Sequence, residues 1–514
     1  MKLLTGKCLR AATLSVAFIL GAPAVPAVAQ DKTNVTIPLE VDAFTLDPRV
    51  QRDTTAFRLT DIIYSGLVTF DADFLPQPDL AKSWEQPDAK TVVFHLREDA
   101  VFHDGTPLTA DDVVFTFTSL KNPELKSRYA QFFAPVESVV AVDKHTVQFN
   151  LSAPYAPLFS YLDLGIVPKA YAESGADIGS APVGSGPYKI EKWEKGVTID
   201  LAAFDKYYGG EAFVKKIHAP IVTDFAARAQ ALEAGDADIV MSNLNPQDIN
   251  RLEANTAFAH KSMPSMTFNY LNFNTADPIL KDPAVRRALA KLVDAKTIND
   301  AILGGIDTLA TGIILPGFKW AYTTDVQQIG FDMEAAKAEL DALGWKVGPD
   351  GVRVKDGQRL SIKLSTNSGV RGQIVEYIQN VFQQAGIDAT TNVADYATFI
   401  AGVYDGSYGI AMMSMNNIAD PDRSIYLQLH SGAPLNWGKY SNPELDAAAE
   451  AGRSAATVAE RAAAYKTAAN IIANDVPYYI LTYVRQDSFA NKDFSWFEGD
   501  ARGNLRSLVR GPKK

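Results

Sequence analysis

Cysteine is nearly absent from this sequence: one residue, Cys8, in 514. It falls in a segment, Met1 to Ala29, with the pattern of a secretory leader. Lys2, Lys7 and Arg10 give a basic start, Ala11 to Leu20 is a short apolar run, and Ala27-Val28-Ala29 supplies the small residues of a cleavage site. The expected mature chain begins at Gln30 in the periplasm, and Cys8 goes with the leader. Disulfides, thiolate metal sites and cysteine nucleophiles are then excluded. A lipid-anchored protein would need a cysteine where Gln30 stands. Long hydrophobic runs are lacking too, and the leader's own is too short to span a bilayer. So is a basic excess: 49 Lys and Arg face 60 Asp and Glu, for a net charge of −11, and losing the leader makes the chain more acidic still. That balance disfavours nucleic acid and anionic membrane surfaces, which need clustered cations. Histidine is sparse, at six residues. His95 and His103 lie eight apart, while His145, His218, His260 and His430 stand alone, and none sits in a dense ligand pattern such as HExxH.

What is present is core-forming material. Hydrophobic residues make up 47% of the chain, and at ~100–200 residues per domain the length implies two to four domains. The most ordered pattern runs from Thr91 to Leu120. Val93, His95 and Arg97 alternate with apolar neighbours as in a half-buried strand. Asp104-Gly105-Thr106-Pro107 then makes a turn, and Thr109-Ala110-Asp111-Asp112 opens a helix with a capping box whose apolar face is Val113, Val114 and Phe117. The stretch contains no nucleophile, metal cage or phosphate loop.

That run, FHLREDAVFHDGTPLTADDVVFTF, with Ser83-Trp84-Glu85 upstream, resembles the signature of the solute-binding proteins of the oligopeptide, dipeptide and nickel type (family 5) that serve ABC importers. Further landmarks agree: Leu46-Asp47-Pro48 after the first strand, Pro182-Val183-Gly184-Ser185-Gly186-Pro187-Tyr188, and Ser441-Asn442-Pro443-Glu444-Leu445-Asp446. The resemblance implies an α/β, two-lobed periplasmic-binding-protein-like fold of type II with an extra inserted α+β domain. Lobe I is expected over 30–65, 185–269 and 482–514, the inserted domain over 66–184, and lobe II over 270–481. Within lobe II, the strand Leu360 to Ser365, the helix Arg371 to Ala385 and the strand Ile387 to Val393 read as a βαβ unit with a parallel sheet. Arg286 and Arg287 read as a solvated helix face, or as a pair with Asp282. The double-glycine turn at 184–186 reads as the return from the inserted domain, since no helix follows to make it a phosphate loop.

Ligands of open α/β sheets gather at the carboxyl ends of strands. The buried strand Tyr408 to Met415 ends in Asn416-Asn417-Ile418-Ala419-Asp420-Pro421-Asp422-Arg423, which makes this loop the first place to look. Peptide receptors of the resembling family hold an Asp four residues before the loop proline, where it meets the peptide's ammonium, and here that position is Asn417. Asp420 or Asp422 could replace the charge, or Asp420 could cap the turn at Pro421. The candidate ligand contacts are Phe44, Tyr270, Asn272, Asn417 and Asp420, with Phe44 and Trp437 equally readable as core aromatics. The resemblance implies a monomer without cofactor or catalytic residues, taking a peptide or other small solute and passing it to an ABC permease complex. Oligosaccharides, opine-like conjugates, nickel and haem are alternative cargoes. The alternative classes are a secreted hydrolase using an acid pair such as Asp420 and Asp422, and a periplasmic chaperone.

Overall fold

The computed structural model describes residues 32–241 and 244–512. The leader and its cleavage point at Ala29 lie outside them. Among the described residues no helix is long and apolar enough to cross a membrane.

Three sheets organise the chain. The first has four strands in the order Asn34–Thr36, Lys216–Pro220, Thr198–Ala203, Tyr188–Glu194, parallel at its first pairing and antiparallel after it. The helix Thr54–Ile63 contributes Leu59, Ile62 and Ile63 to the core over this sheet. The second sheet lies within the 66–184 segment and is antiparallel, in the order Ala81–Asp88, Thr91–Leu96, Thr146–Leu151, Val136–Asp143. Phe94, Phe117, Phe149 and Phe133 fill its own core, as the alternation through 91–97 requires. The helix Ala110–Ser119 begins at Thr109, whose N–H donates to the Asp112 carboxylate at 2.9 Å.

The third sheet is the largest. Its order is Ile239–Met241, Tyr478–Ala490, Ala259–Phe273, Ile410–Met415, Ser361–Asn367, Asp388–Ala394. Ser361–Asn367 pairs in parallel with both Asp388–Ala394 and Ile410–Met415, as the βαβ pattern predicts, and the crossover helix is Val370–Gln384. The sheet is nonetheless mixed, because Ala259–Phe273 and Tyr478–Ala490 run antiparallel to their neighbours. Its two faces bury separate cores, Phe268 and Tyr270 on one side and Leu271 and Phe273 on the other. The boundaries expected at 270 and 482 therefore fall inside two continuous, paired strands. That pairing slips between Pro264 and Phe268, so Ser265, Met266 and Thr267 leave the ladder as a bulge.

His103, in the signature stretch, does more than shape a turn. Its Nδ1 accepts from the Gly184 N–H at 3.3 Å and its Nε2–H donates to the Gly186 carbonyl at 3.0 Å. Burial lowers its pKa to about 4, which keeps the ring neutral and able to make both bonds. The turn it grips has no room for side chains: a Cβ on Gly184 would stand 1.9 Å from the Ile63 carbonyl oxygen. Arg286 departs from its sequence reading. It is buried, and its guanidinium donates to the carbonyls of Asp475, Val476, Leu280 and Lys281 at 2.8–3.1 Å. It is neither solvated nor paired with Asp282, whose carboxylate caps the helix by accepting from the Ala284 N–H.

Candidate functional site

A cavity of about 710 Å³ opens beside the two long strands Ala259–Phe273 and Tyr478–Ala490. Glu40, Val41, Arg52 and Asp53 line it from the first sheet's side, and Arg128 from the inserted segment. Met413 to Asn417, Tyr396, Tyr404 and Trp437 line it from the large sheet's far end, and the unpaired residues 265–267 form part of its floor. It continues into a narrower space of about 130 Å³ walled by Gln51, Tyr129 and Tyr161, and both volumes are bounded by Arg128, Asn417, Arg423 and Arg502. Large apolar side chains stand open to water here: Tyr396 is 65% and Tyr404 59% exposed, with Val41 opposite. Singly exposed apolar residues need no explanation, but a group facing one cleft marks a contact surface. Tyr404 leans on Trp437 with ring centroids 5.3 Å apart.

The loop after the strand Ile410–Met415 sits at this cleft, as the strand-end rule predicts. Asn417 is exposed in the wall with φ at +52°, a left-handed conformation that asparagine accepts more readily than most residues. Its carbonyl accepts from the Arg423 guanidinium, and the next residue, Ile418, ties the loop to the strand Ala259–Phe273 through Met266 O at 3.0 Å.

Asp420 turns away from the cleft. Its Oδ1 caps the helix Pro421–Leu429 by accepting from the Asp422 N–H at 2.9 Å, and its two oxygens take Arg461 Nη2 at 2.7 and 2.8 Å and Ser160 Oγ at 2.5 Å. It lines a separate cavity of about 500 Å³ behind the loop, walled by Phe74, Phe159, Phe318 and Trp320. Asp422 is fully buried with Arg453 Nε at 3.1 Å, and burial pushes its carboxyl up to about 7. Neither acid can replace the charge that Asn417 lacks, because both anchor the loop from behind.

Of the other sequence candidates, Tyr270 forms part of the cleft wall while packed on Tyr478, centroids 4.7 Å apart. Asn272 is two residues farther along the strand, buried against Gly438 and outside the cleft. The pleat that keeps it on Tyr270's face also carries it deeper. Phe44 is 65% exposed and does not line the cleft itself; the wall residue Arg52 holds its guanidinium 4.1 Å above the Phe44 ring. Sequence reasoning passed over Arg52, Arg128, Tyr396 and Tyr404. They lie far apart in the chain, and no local spacing announces their convergence. Among the described residues no group of three or more His, Cys, Asp or Glu is placed to hold a metal ion.

Separate sheets with a cleft between them, lined from both sides, fit a two-lobed solute-binding protein. Residues 76–436 match the family of bacterial extracellular solute-binding proteins, family 5, and the chain belongs to it. Protein XP55 of Streptomyces lividans is 30% identical over 93% of this chain and 90% of its own length. The dipeptide-binding protein of Escherichia coli is 27% identical over 85% and 86%. Among solved structures, the ABC transporter substrate-binding protein CtaP of Listeria monocytogenes superposes with a TM-score of 0.80 at 26% identity, covering 93% of this chain and 99% of that one.

Proposed function

We propose that this protein is the extracytoplasmic receptor of an ABC importer, capturing a peptide or a solute of similar size between its lobes and presenting the closed complex to a membrane permease. The observation that carries this is the open cleft beside the two long strands, with walls that come from both lobes and expose aromatic rings. Its volume lies within the ~300–1,000 Å³ typical of small-molecule sites. Closing the lobes would bury Tyr396, Tyr404 and Val41 against cargo, and the closed state is then favoured by the ligand's differential affinity for it. Binding without turnover agrees with the commitments of Asp420 and Asp422, since acids held by Arg461 and Arg453 are not placed for acid–base work on a solute in the cleft. Tyr270 and Asn417 remain the proposed contacts from the sequence, with Phe44 only beside the wall residue Arg52, and they are joined by Tyr396, Tyr404 and Trp437.

A thermal-shift screen of the mature chain against di- to pentapeptides, oligosaccharides, amino-acid–sugar conjugates and Ni²⁺ tests the reading. Ligand at ~100 Kd adds about 2.7 kcal/mol. The hit should be recovered chemically unchanged after incubation, and should stimulate ATP hydrolysis by the cognate permease in vesicles only when the receptor is present. A hit that is consumed would make the protein an enzyme instead.

A further inference from the structure

The charges around the cleft do not balance locally. Every acid that borders the two connected volumes is already engaged: Glu40 with Arg58 at 3.2 Å, Asp61 with Arg506 at 3.0 Å, and Asp163 with Arg502. Asp53 accepts from the N–H groups of Ala56 and Phe44 at 2.7 and 3.1 Å. The arginines divide differently. Arg58 and Arg502 are paired as above, and Arg485 is held by Asp487 at 2.9 Å. Arg52, Arg128 and Arg423 form no ion pair with any described residue. Their contacts are the Phe44 ring at 4.1 Å, the Phe57 ring at 5.5 Å and the Asn417 carbonyl, respectively.

Arg128 and Arg423 are both half-buried and border both volumes, so two like charges face one space. Burial and the neighbouring Arg128 charge both push the Arg423 guanidinium below its ordinary value. A third donor joins them. The buried Tyr161 hydroxyl, in the wall of the narrow volume, makes no hydrogen bond to another described residue. Desolvated cations and an unsatisfied hydroxyl bordering one cavity favour an anion placed between them. The guanidinium fork suits a planar oxyanion, which it can grip through two parallel bonds. An ammonium would meet no uncommitted carboxylate among the described residues that line the cleft.

Resting on the receptor reading, we infer that the cargo is a net-anionic organic solute with two or more carboxylates. One carboxylate lies between Arg128 and Arg423 within reach of Tyr161, a second faces Arg52, and no free ammonium is required.

Calorimetric titration of the mature protein with matched probes decides this: Asp-Glu, N-acetyl-Asp-Glu, citrate, Ala-Ala and Lys-Lys. Expected are binding of the acidic probes, no loss on N-acetylation, affinity that falls with added salt, and a roughly 10–100-fold loss in Arg128→Gln and in Arg423→Gln. Both variants should keep or raise the ligand-free Tm, since each removes a like-charge neighbour. Should either fail to fold, Arg423→Lys, which retains charge but lacks the fork, should still weaken the acidic probes. Preference for Ala-Ala or Lys-Lys, a strict need for the free ammonium, or no binding of any acidic probe overturns the anionic assignment while the receptor reading stands. Consumption of a bound probe overturns the receptor reading itself.

Discussion

Asp422 carries a pH signature of its own. Its carboxyl is raised to about 7 chiefly by burial, with Arg453 pulling the other way and Asp420 adding to the rise. A folded-state pKa above the unfolded value near 3.8 means the native protein holds this proton more tightly. The group therefore favours the fold at acid pH, and that contribution is lost as pH climbs through 7. Asp422→Asn mimics the protonated form, so the fall in Tm between pH 5 and 8 should be shallower than in the parent, by the equivalent of roughly 1–3 kcal/mol. Parallel Tm profiles for parent and variant would show that Asp422 is ionised throughout. His103 works in the opposite sense: with its pKa lowered to about 4, it favours the fold above pH 6.5 and weakens it as pH falls toward 4. At Asn417 the expected change concerns ligands. Asn417→Asp places a carboxylate beside Arg423, and calorimetry should show weaker binding of acidic probes with the fold intact. Unchanged affinity would mean that Arg423 does not meet the ligand.

The elements were legible where local chemistry decides them. The capping box at Thr109 and the βαβ unit around Val370–Gln384 both stand where spacing places them. Arg286 was not legible, because the carbonyls it satisfies belong to Asp475 and Val476, nearly two hundred residues away in sequence. Arg286→Met should cost about 2–5 kcal/mol in urea unfolding, since several buried acceptors lose their donor together. A loss within 0.5 kcal/mol would mean that water replaces the guanidinium without difficulty. The turn at Gly184 makes a second case. With the Ile63 oxygen 1.9 Å from any added Cβ, Gly184→Ala should destabilise by about 2–4 kcal/mol. Insertion without loss would show that the inserted segment and the helix Thr54–Ile63 can shift apart freely.

At the scale of the molecule, the family signature made the architecture readable and the cleft only in part. The 416–423 loop was located from the end of its strand, yet Arg52 and Arg128 reach the same cavity from residues that no pattern links to it. The acids that looked available in sequence turned out to serve the loop's underside. Closure gives the prediction proper to this scale: on saturation with ligand, small-angle scattering should show a smaller radius of gyration, with Trp437 fluorescence changing in step. Identical scattering curves would mean that the lobes do not move. The large sheet also constrains how the protein is made. Its second strand from the edge, Tyr478–Ala490, is the last strand among the described residues, and it pairs with the strands that begin at Ile239, Ala259 and Thr308. Synthesis delivers residues in order, so this sheet cannot finish assembling until nearly the whole polypeptide has been made. Premature termination anywhere before Tyr478 leaves a long, open strand edge, free to pair with other chains.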